Sequence, residues 1–145
     1  MSEDPYVAAW REVAVKRGVG LGALSGSRGG AFAATMAAAS LSLPTERTAT
    51  EREVNERLVA WLAGPGAMLA TDHVELRRWL VDLGLVERDG FGRAYRRVAP
   101  PPALAAAVEA LARVDPAAIA AQARDDDARR RAERRARHDA GAGRA

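Results

Sequence analysis

Large apolar residues recur with a helical period in two neighbouring stretches near the middle of the chain. In residues 50–63 they fall at i, i+4, i+7 and i+8, and they are Val54, Leu58, Trp61 and Leu62. In residues 72–83 the apolar residues with helical spacing are Leu76, Trp79, Leu80 and Leu83. Such a stripe is typical of an amphipathic helix that packs one face against a core. The pattern therefore predicts two helices that share one core.

Local signals indicate where both helices begin and where the first one ends. Thr50 with Glu53, and Asp72 with Glu75, have the spacing of a capping box. In this motif both side chains accept hydrogen bonds from free backbone N–H groups of the first turn. Residues 64–66, Gly-Pro-Gly, end the first helix because proline and glycine do not continue helical hydrogen bonding.

A β-hairpin is predicted directly after the second helix. Gly84 stands where a left-handed residue is favoured after a helix. Residues 85–88 and 94–98 are strand-like, and Asp-Gly-Phe-Gly at 89–92 joins them. Asp-Gly between two such runs is a strong hairpin signal, because the tight turn needs positive φ. The predicted fold class is therefore mainly α with a small β-hairpin: a winged helix-turn-helix-like core with flanking N- and C-terminal helices.

The same stretch resembles a known protein family. The motifs that carry the resemblance are, in chain order, EREVN at 51–55, LRRWLVDLG at 76–84, LVER at 85–88 and YRR at 95–97. They are similar to the bacterial domain-of-unknown-function family 2087, whose members resemble winged-helix domains and are in some cases joined to transcriptional-regulator domains. The resemblance covers residues 48–98. It implies a winged-helix fold and a DNA-binding role, and it supplies no catalytic residues.

Two segments are predicted to precede this core. Residues 1–28 form an N-terminal helix and a linker, because the stretch that begins at Gly18 is too rich in glycine and serine for regular structure. The winged-helix-like domain is predicted to span residues 29–99. Its first helix is expected in the alanine-rich run 31–43, because alanine has the highest helix propensity and consecutive elements usually neighbour each other. In the alternative, residues 7–16 serve as the first helix and the alanine run packs elsewhere.

Residues 100–145 are predicted to be a proline hinge followed by an Ala/Arg-rich helical tail. The hinge ends the domain because prolines lack the N–H that a strand needs. Asp115 and Pro116 suit the first positions of a last helix. In that helix three aspartates each precede an arginine by four residues, as Asp125–Arg129, Asp126–Arg130 and Asp127–Arg131. Such pairs favour a solvated helix, although the arginine-rich run could also contact nucleic acid or an acidic partner.

The tail also carries an apolar stripe that must be buried somewhere. Leu104, Val108 and Leu111 lie on one face of a predicted helix. A small core offers limited surface, and twofold pairing is the commonest mode of association. We therefore expect a homodimer in which residues 103–120 contribute to the interface, and a protein partner could bind through residues 103–137. The alternative is that this helix folds back on its own domain.

Composition and charge narrow the function classes. The chain has no cysteine, which excludes disulfides, cysteine-based zinc sites and thiol catalysis. The formal net charge is +3, and residues 44–98 hold nine arginines and nine carboxylates. A nucleic-acid surface must therefore come from local segregation of charge. With no signal-peptide pattern and no clear apolar span, we expect a cytoplasmic protein without a membrane segment.

The second predicted helix and the hairpin provide the candidate nucleic-acid-binding residues. They are His73, Arg77, Arg78, Arg88, Arg93, Arg96 and Arg97. On a recognition helix, Arg77 could pair with guanine in the major groove, and the hairpin arginines could contact phosphates. Alternatively, Arg77 and Arg78 pair with carboxylates of the preceding helix, among them Glu51 and Glu53, and set the angle between the helices.

Candidate chemistry is sparse elsewhere. The chain has two histidines, and His73 beside Asp72 and Glu75 is a thin metal site because those carboxylates suit a helix cap. Residues 18–23 match G-x-G-x-x-A, but no clear strand precedes them and no acid stands about 20 residues on. We therefore expect no catalytic site, cofactor or metal. The predicted function is a DNA-binding or transcription-regulator-like protein; the alternative is a non-enzymatic protein–protein interaction module on a winged-helix scaffold.

Overall fold

The computed structural model describes residues 2–91 and 93–143, which contain helices and three short strands. The elements in chain order are α1 (Pro5–Ala14), α2 (Leu21–Ser25), α3 (Ala31–Leu41), β1 (Ala49–Thr50), α4 (Glu51–Ala63), α5 (His73–Asp82), β2 (Val86–Arg88), β3 (Ala94–Arg97), α6 (Pro102–Ala112) and α7 (Pro116–Ala142). None of the helices in this part of the chain is long and apolar enough to cross a membrane.

The three strands form one antiparallel sheet in the order β1-β3-β2. Ala49 of β1 lies opposite Tyr95 of β3, and Arg88 of β2 lies opposite Tyr95 from the other side. Helices α4 and α5 pack on each other and against this sheet. The predicted fold class, mainly α with a small β-hairpin and winged-helix-like, is confirmed, and β1 adds a third strand to the hairpin.

Side-chain caps begin α4 and α5 at the predicted residues. The Thr50 hydroxyl accepts a hydrogen bond from the Glu53 N–H at 3.1 Å, and the Asp72 carboxylate accepts one from the Glu75 N–H at 2.8 Å. The reciprocal half of the first capping box is absent. The Glu53 carboxylate instead pairs with Arg47, at 2.6 Å, and with Arg57. The hydrogen bond from Arg47 is the main reason that the pKa of Glu53 lies below its ordinary value.

The core between α4 and α5 consists of the predicted apolar residues. Leu58, Leu76 and Leu80 are fully buried. Val54 and Leu85 are buried around them, whereas the outer residues of the two stripes, Leu62 and Leu83, are partly buried. Gly84 has a φ of 77°, as expected of the left-handed residue that follows a helix.

The glycine-rich segment after α1 is more ordered than its composition predicts. Residues 21–25 form the short helix α2, in which Leu21 and Leu24 are buried. Just before it, Val19 bridges to the loop after α4, where its N–H donates to Met68 and its carbonyl accepts from Ala70. The prediction of an irregular linker is wrong here because two leucines three residues apart reach the core.

The alanine-rich run forms α3, as predicted, and lies at the centre of the molecule. Every residue from 34 to 40 is buried. Small side chains let neighbouring helices approach closely, and α3 packs against both α1 and α6. At its N-terminal end the ring of Phe32 meets the ring of Trp79 on α5 edge-on, with centroids 5.5 Å apart. Helix α3 therefore lies directly before β1 in the chain and contacts α5 through Phe32.

The proline segment after β3 does not end the folded unit. Helix α6 returns onto α3 and α1 and buries Leu104, Val108 and Leu111 within the same chain. The expectation that this stripe needs a second chain is therefore wrong, because the alanine helix provides a flat surface for it. The alternative, a helix folded back on its own domain, is the observed arrangement.

Helix α7 is anchored at its start and exposed at its end. The Trp10 indole N–H donates to the Pro116 carbonyl at 2.9 Å, and Ala120 and Ala123 are buried. From residue 128 to 143 every residue is exposed, so this part is the predicted solvated helix. Of the predicted ion pairs, Asp127–Arg131 forms at 3.0 Å. Arg129 pairs with Asp126 rather than Asp125, so that part of the prediction is wrong.

Candidate nucleic-acid interface

Helix α5 and the β2–β3 hairpin meet at a cleft lined by Val74, Arg78 and Arg88, and we call the outer side of these two elements the α5–wing surface. We assign to it basic and apolar side chains that are not buried, those of His73, Val74, Arg78, Arg88, Phe91, Arg93 and Arg97. The Asp72 cap fixes the start of α5, and the left-handed Gly84 turns the chain directly into β2. The chain therefore places five of the seven predicted binding residues, all except Arg77 and Arg96, on this surface.

Arg77 points inward and holds α5 against α4 and the sheet. Its side chain is 17% exposed and pairs with the Glu51 carboxylate at 3.2 Å. The same guanidinium donates to the Asn55 side-chain oxygen and lies over the Tyr95 ring, 5.7 Å from the centroid. The alternative foreseen for this residue, a contact between the two helices, is the arrangement that the structure has.

Arg78, one residue further on, has no such partner. Its side chain is exposed, and no carboxylate within the described residues lies close enough to form an ion pair with it. It lines a cleft of about 310 Å³ between α5 and the sheet, together with Val74, Arg88 and Asp82. Arg78 therefore presents a hydrated cation at the mouth of this cleft.

The tip of the hairpin is a loop held by one carboxylate. Asp89 accepts hydrogen bonds from the N–H groups of Phe91, at 3.1 Å, and Arg93, at 2.9 Å. Gly90 does not adopt the predicted positive φ, because this longer loop replaces the two-residue turn, and Gly92 lies outside the described residues. The Phe91 side chain is 85% exposed, as expected.

Strand register divides the hairpin arginines between two faces. Residues directly opposite in an antiparallel pair share a face, and alternate residues along a strand do too. Arg88 therefore lies with Tyr95 and Arg97 on the face toward α5. Arg96 lies on the other face, where it pairs with the opposite Glu87 at 3.2 Å. Arg97 is half-buried, and this burial lowers the pKa of its guanidinium from the ordinary value.

The ion pairs of this domain involve some of its arginines and leave others without a described carboxylate partner. The carboxylates of α4 are paired with arginines, as Glu51 with Arg77, Glu53 with Arg47 and Arg57, and Glu56 with Arg52. The arginines of this domain that lack a carboxylate partner in the described chain are Arg78, Arg88, Arg93 and Arg97. This surface therefore carries four arginines without a described carboxylate partner, beside the exposed carboxylates of Asp72, Glu75 and Asp82 at α5, which form no ion pair with a described residue.

His73 is the half-buried first residue of α5, and the described residues around it do not form a metal site. Asp72 beside it is engaged as the helix cap. Among residues 2–91 and 93–143, no three His, Cys, Asp or Glu side chains converge as metal ligands would.

A second cationic surface joins the arginine-rich run of the tail to the end of α1, and the sequence did not reveal this junction. The C-terminal end of α1 and the middle of α7 enclose a groove of about 660 Å³, which we call the α1–α7 groove. Its cations are Lys16, Arg17, Arg124, Arg131 and Arg135. The two contributing segments lie far apart in sequence, so only their common packing against the core brings these residues together. The arginine run of the tail was the only part of this groove that the sequence indicated.

The fold is of a winged-helix-like class, and the comparisons with known proteins find a bacterial family for its central part. Residues 33–97 match domain-of-unknown-function family 2087, described as an uncharacterized protein conserved in bacteria. The match runs from α3 to β3 and confirms the resemblance seen in residues 48–98. It also places the alanine-rich helix within the family domain. No curated protein and no solved structure matches the chain.

Proposed function

We propose that the α5–wing surface binds duplex DNA through its phosphate backbone and that the protein acts as a transcription-regulator-like DNA-binding protein. The observation that carries this proposal is the group of arginines without carboxylate partners, Arg78, Arg88 and Arg93, around the cleft and the hairpin tip. Free guanidinium groups neutralise phosphates and release condensed counterions, which is the main source of non-specific affinity for DNA.

The position of α5 supports this proposal, and its charges refine it. In winged helix-turn-helix proteins the second helix of the motif enters the major groove with its N-terminal residues. Here that end carries the exposed carboxylates of Asp72 and Glu75, which repel phosphates. The free cations lie at Arg78 and on the hairpin. We therefore expect phosphate contacts to dominate and sequence preference to be modest, because phosphate contacts carry no direct sequence information.

The test is a salt titration of binding to a labelled duplex. Each neutralised phosphate contributes about −0.9 to the slope of log affinity against log salt. The triple variant Arg78→Gln, Arg88→Gln, Arg93→Gln should therefore have a slope less steep by about 2–3. A control with equal charge, Arg28→Gln, Arg52→Gln, Arg113→Gln, removes exposed arginines outside this surface and outside α7 and should keep the slope. If the wild-type chain retains no duplex at about 50 mM salt, the proposal is wrong.

A protein-interaction module is the second candidate, because apolar side chains are exposed on the same surface. Phe91 is 85% exposed and Val74 is 39% exposed. A partner that buried these side chains would bind with little salt dependence, and Phe91→Ala would weaken that complex without changing DNA affinity.

A homodimer and a cytoplasmic location stay predictions. Because the apolar stripe of α6 is buried in its own chain, a dimer would need a different interface. Sedimentation of the full chain at micromolar concentration tests this.

A further inference from the structure

The α1–α7 groove carries a concentration of positive charge that the α5–wing surface does not use. We propose that this groove is a second phosphate-binding surface for nucleic acid. The inference rests on the proposed function insofar as nucleic acid is the ligand, but it concerns different residues. Five cations and one carboxylate, Asp127, line the groove, so its charge is strongly complementary to a polyanion.

Arg124 builds the groove rather than contacting a ligand. Its guanidinium donates to the backbone carbonyls of Ala14, Gly64 and Pro65, each at 2.9 Å. These bonds join α7 to the end of α1 and to the loop after α4. Because its donors are engaged with three carbonyls, Arg124 is a positioning residue. It holds the walls at a fixed separation.

The cations that remain available lie on both walls. Lys16 and Arg17 are exposed on the α1 side, and Arg135 is exposed on the α7 side. None of the three forms an ion pair with a described carboxylate. Arg131 lies between them and shares its charge with Asp127 at 3.0 Å. A phosphate in the groove could therefore be approached by cations from two elements at once.

The row of cations continues along α7 beyond the groove. Arg131, Arg134, Arg135 and His138 line a shallow depression on one face of the helix. Their spacing of i, i+3, i+4 and i+7 keeps them on that face over about 10 Å of helix length. A polynucleotide backbone carries charge continuously along such a distance. The geometry thus suits a chain of phosphates better than one isolated anion.

The composition of the exposed helix favours nucleic acid over a protein as the occupant. From residue 128 to 143 the exposed part of α7 has no large apolar side chain. The centre of a protein interface needs aromatic or aliphatic anchors that fill pockets. Phosphate contacts need only accessible cations, and small neighbours such as alanine let the nucleic-acid backbone come close to them. The exposed part of α7 provides both.

Three full-length variants test the inference separately from the proposed function. The groove variant is Lys16→Gln, Arg17→Gln, Arg135→Gln. It is compared with the two triple variants already described. One lies in the α5–wing surface, and the other is the control of equal charge, whose residues Arg28, Arg52 and Arg113 line neither the groove nor the depression along α7. All substituted side chains of the groove variant are exposed, so thermal unfolding should match the wild type.

The probe is a labelled duplex of mixed sequence, titrated from about 50 to 200 mM salt. We expect the slope of log affinity against log salt to be less steep by about 2–3 in the groove variant. Its affinity at low salt should fall roughly 10-fold or more, while the affinity of the control changes less than about 2-fold. If the groove variant binds DNA with wild-type affinity while the α5–wing variant binds more weakly, this inference is wrong and the proposed function stands. If the groove variant binds more weakly while the α5–wing variant keeps wild-type affinity, the proposed role of the α5–wing surface is wrong and the groove inference stands.

Two further outcomes count against the groove as a nucleic-acid site. If the wild-type chain binds no duplex and no single strand, both proposals are wrong. If poly-glutamate displaces the duplex at a lower concentration of charge than unlabelled DNA does, the groove is an acidic-peptide site instead. Stronger competition by DNA than by poly-glutamate supports the inference.

Discussion

At the scale of single residues, two adjacent arginines have opposite roles. Arg77 and Arg78 differ by about 100° around a helix, because an α-helix has 3.6 residues per turn. That rotation takes Arg77 to Glu51, Asn55 and the Tyr95 ring, and it leaves Arg78 in solvent. The sequence could name both as candidates but could not distinguish them, because the choice depends on where α4 lies.

The difference predicts unequal effects on stability. Arg77→Met should lower the free energy of unfolding by about 1–2 kcal/mol, because it removes a charge-assisted hydrogen bond to Asn55 and a contact with Tyr95. Arg78→Met should stay within about 0.5 kcal/mol of the wild type, as exposed substitutions usually do. Urea denaturation of both variants measures this. Equal midpoints would contradict the inward placement of Arg77.

The backbone at Gly66 lies very close to the ring of Trp61. A Cβ at this position would stand 2.2 Å from the Trp61 ring, and that ring stacks on Trp10 at 6.1 Å. Since the ring is held by its neighbour, Gly66→Ala should destabilise the fold by about 1–3 kcal/mol through overpacking. Gly22→Ala is the control, because nothing lies within 4 Å of its Cβ position. A thermal midpoint unchanged by Gly66→Ala would mean that Trp61 can move.

At the scale of elements, the best-predicted helices are those whose local signals agree with their burial. Helices α4 and α5 have an apolar stripe, a side-chain cap and a breaking or left-handed glycine, and each signal is satisfied within the element itself. Helix α2 has only two leucines among glycines and serines. Its structure depends on contacts with distant elements, so composition alone predicted a linker.

The same agreement makes the core between α4 and α5 a sharp test of register. Leu76 and Leu80 are fully buried, whereas Val59 of α4 is 50% exposed. Leu76→Ala or Leu80→Ala should each cost about 2–5 kcal/mol, because a cavity adds to the lost burial of the side chain. Val59→Ala should cost much less. If chemical denaturation gives all three variants the same stability, the helix faces are assigned incorrectly.

At the scale of the whole molecule, the predicted tail, residues 100–145, packs onto the core through α6 and the first part of α7. The sequence shows an apolar stripe in α6 but not the surface that covers it, since α3 is rich in alanine and has no amphipathic pattern of its own. A helix of mostly small residues that is buried from 34 to 40 accepts neighbours on several sides. Periodicity cannot reveal such a helix as a centre of packing, and for this reason the sequence predicts that the domain ends at the proline segment.

This arrangement predicts where the chain can be shortened. A chain that ends at Ala99 loses α6 and α7 and exposes the apolar face of α3, so it should lack a cooperative unfolding transition. A chain that ends at Ala128 keeps Arg124 with its three carbonyl partners, and the described residues that it loses, 129–143, are all exposed. Its free energy of unfolding should stay within about 1 kcal/mol of the full chain, because surface residues away from packed features contribute little. Denaturation followed by circular dichroism separates the two. A cooperative transition in the shorter chain would show that residues 2–99 form a complete core without α6, and α6 would then be a peripheral helix rather than a wall of the core.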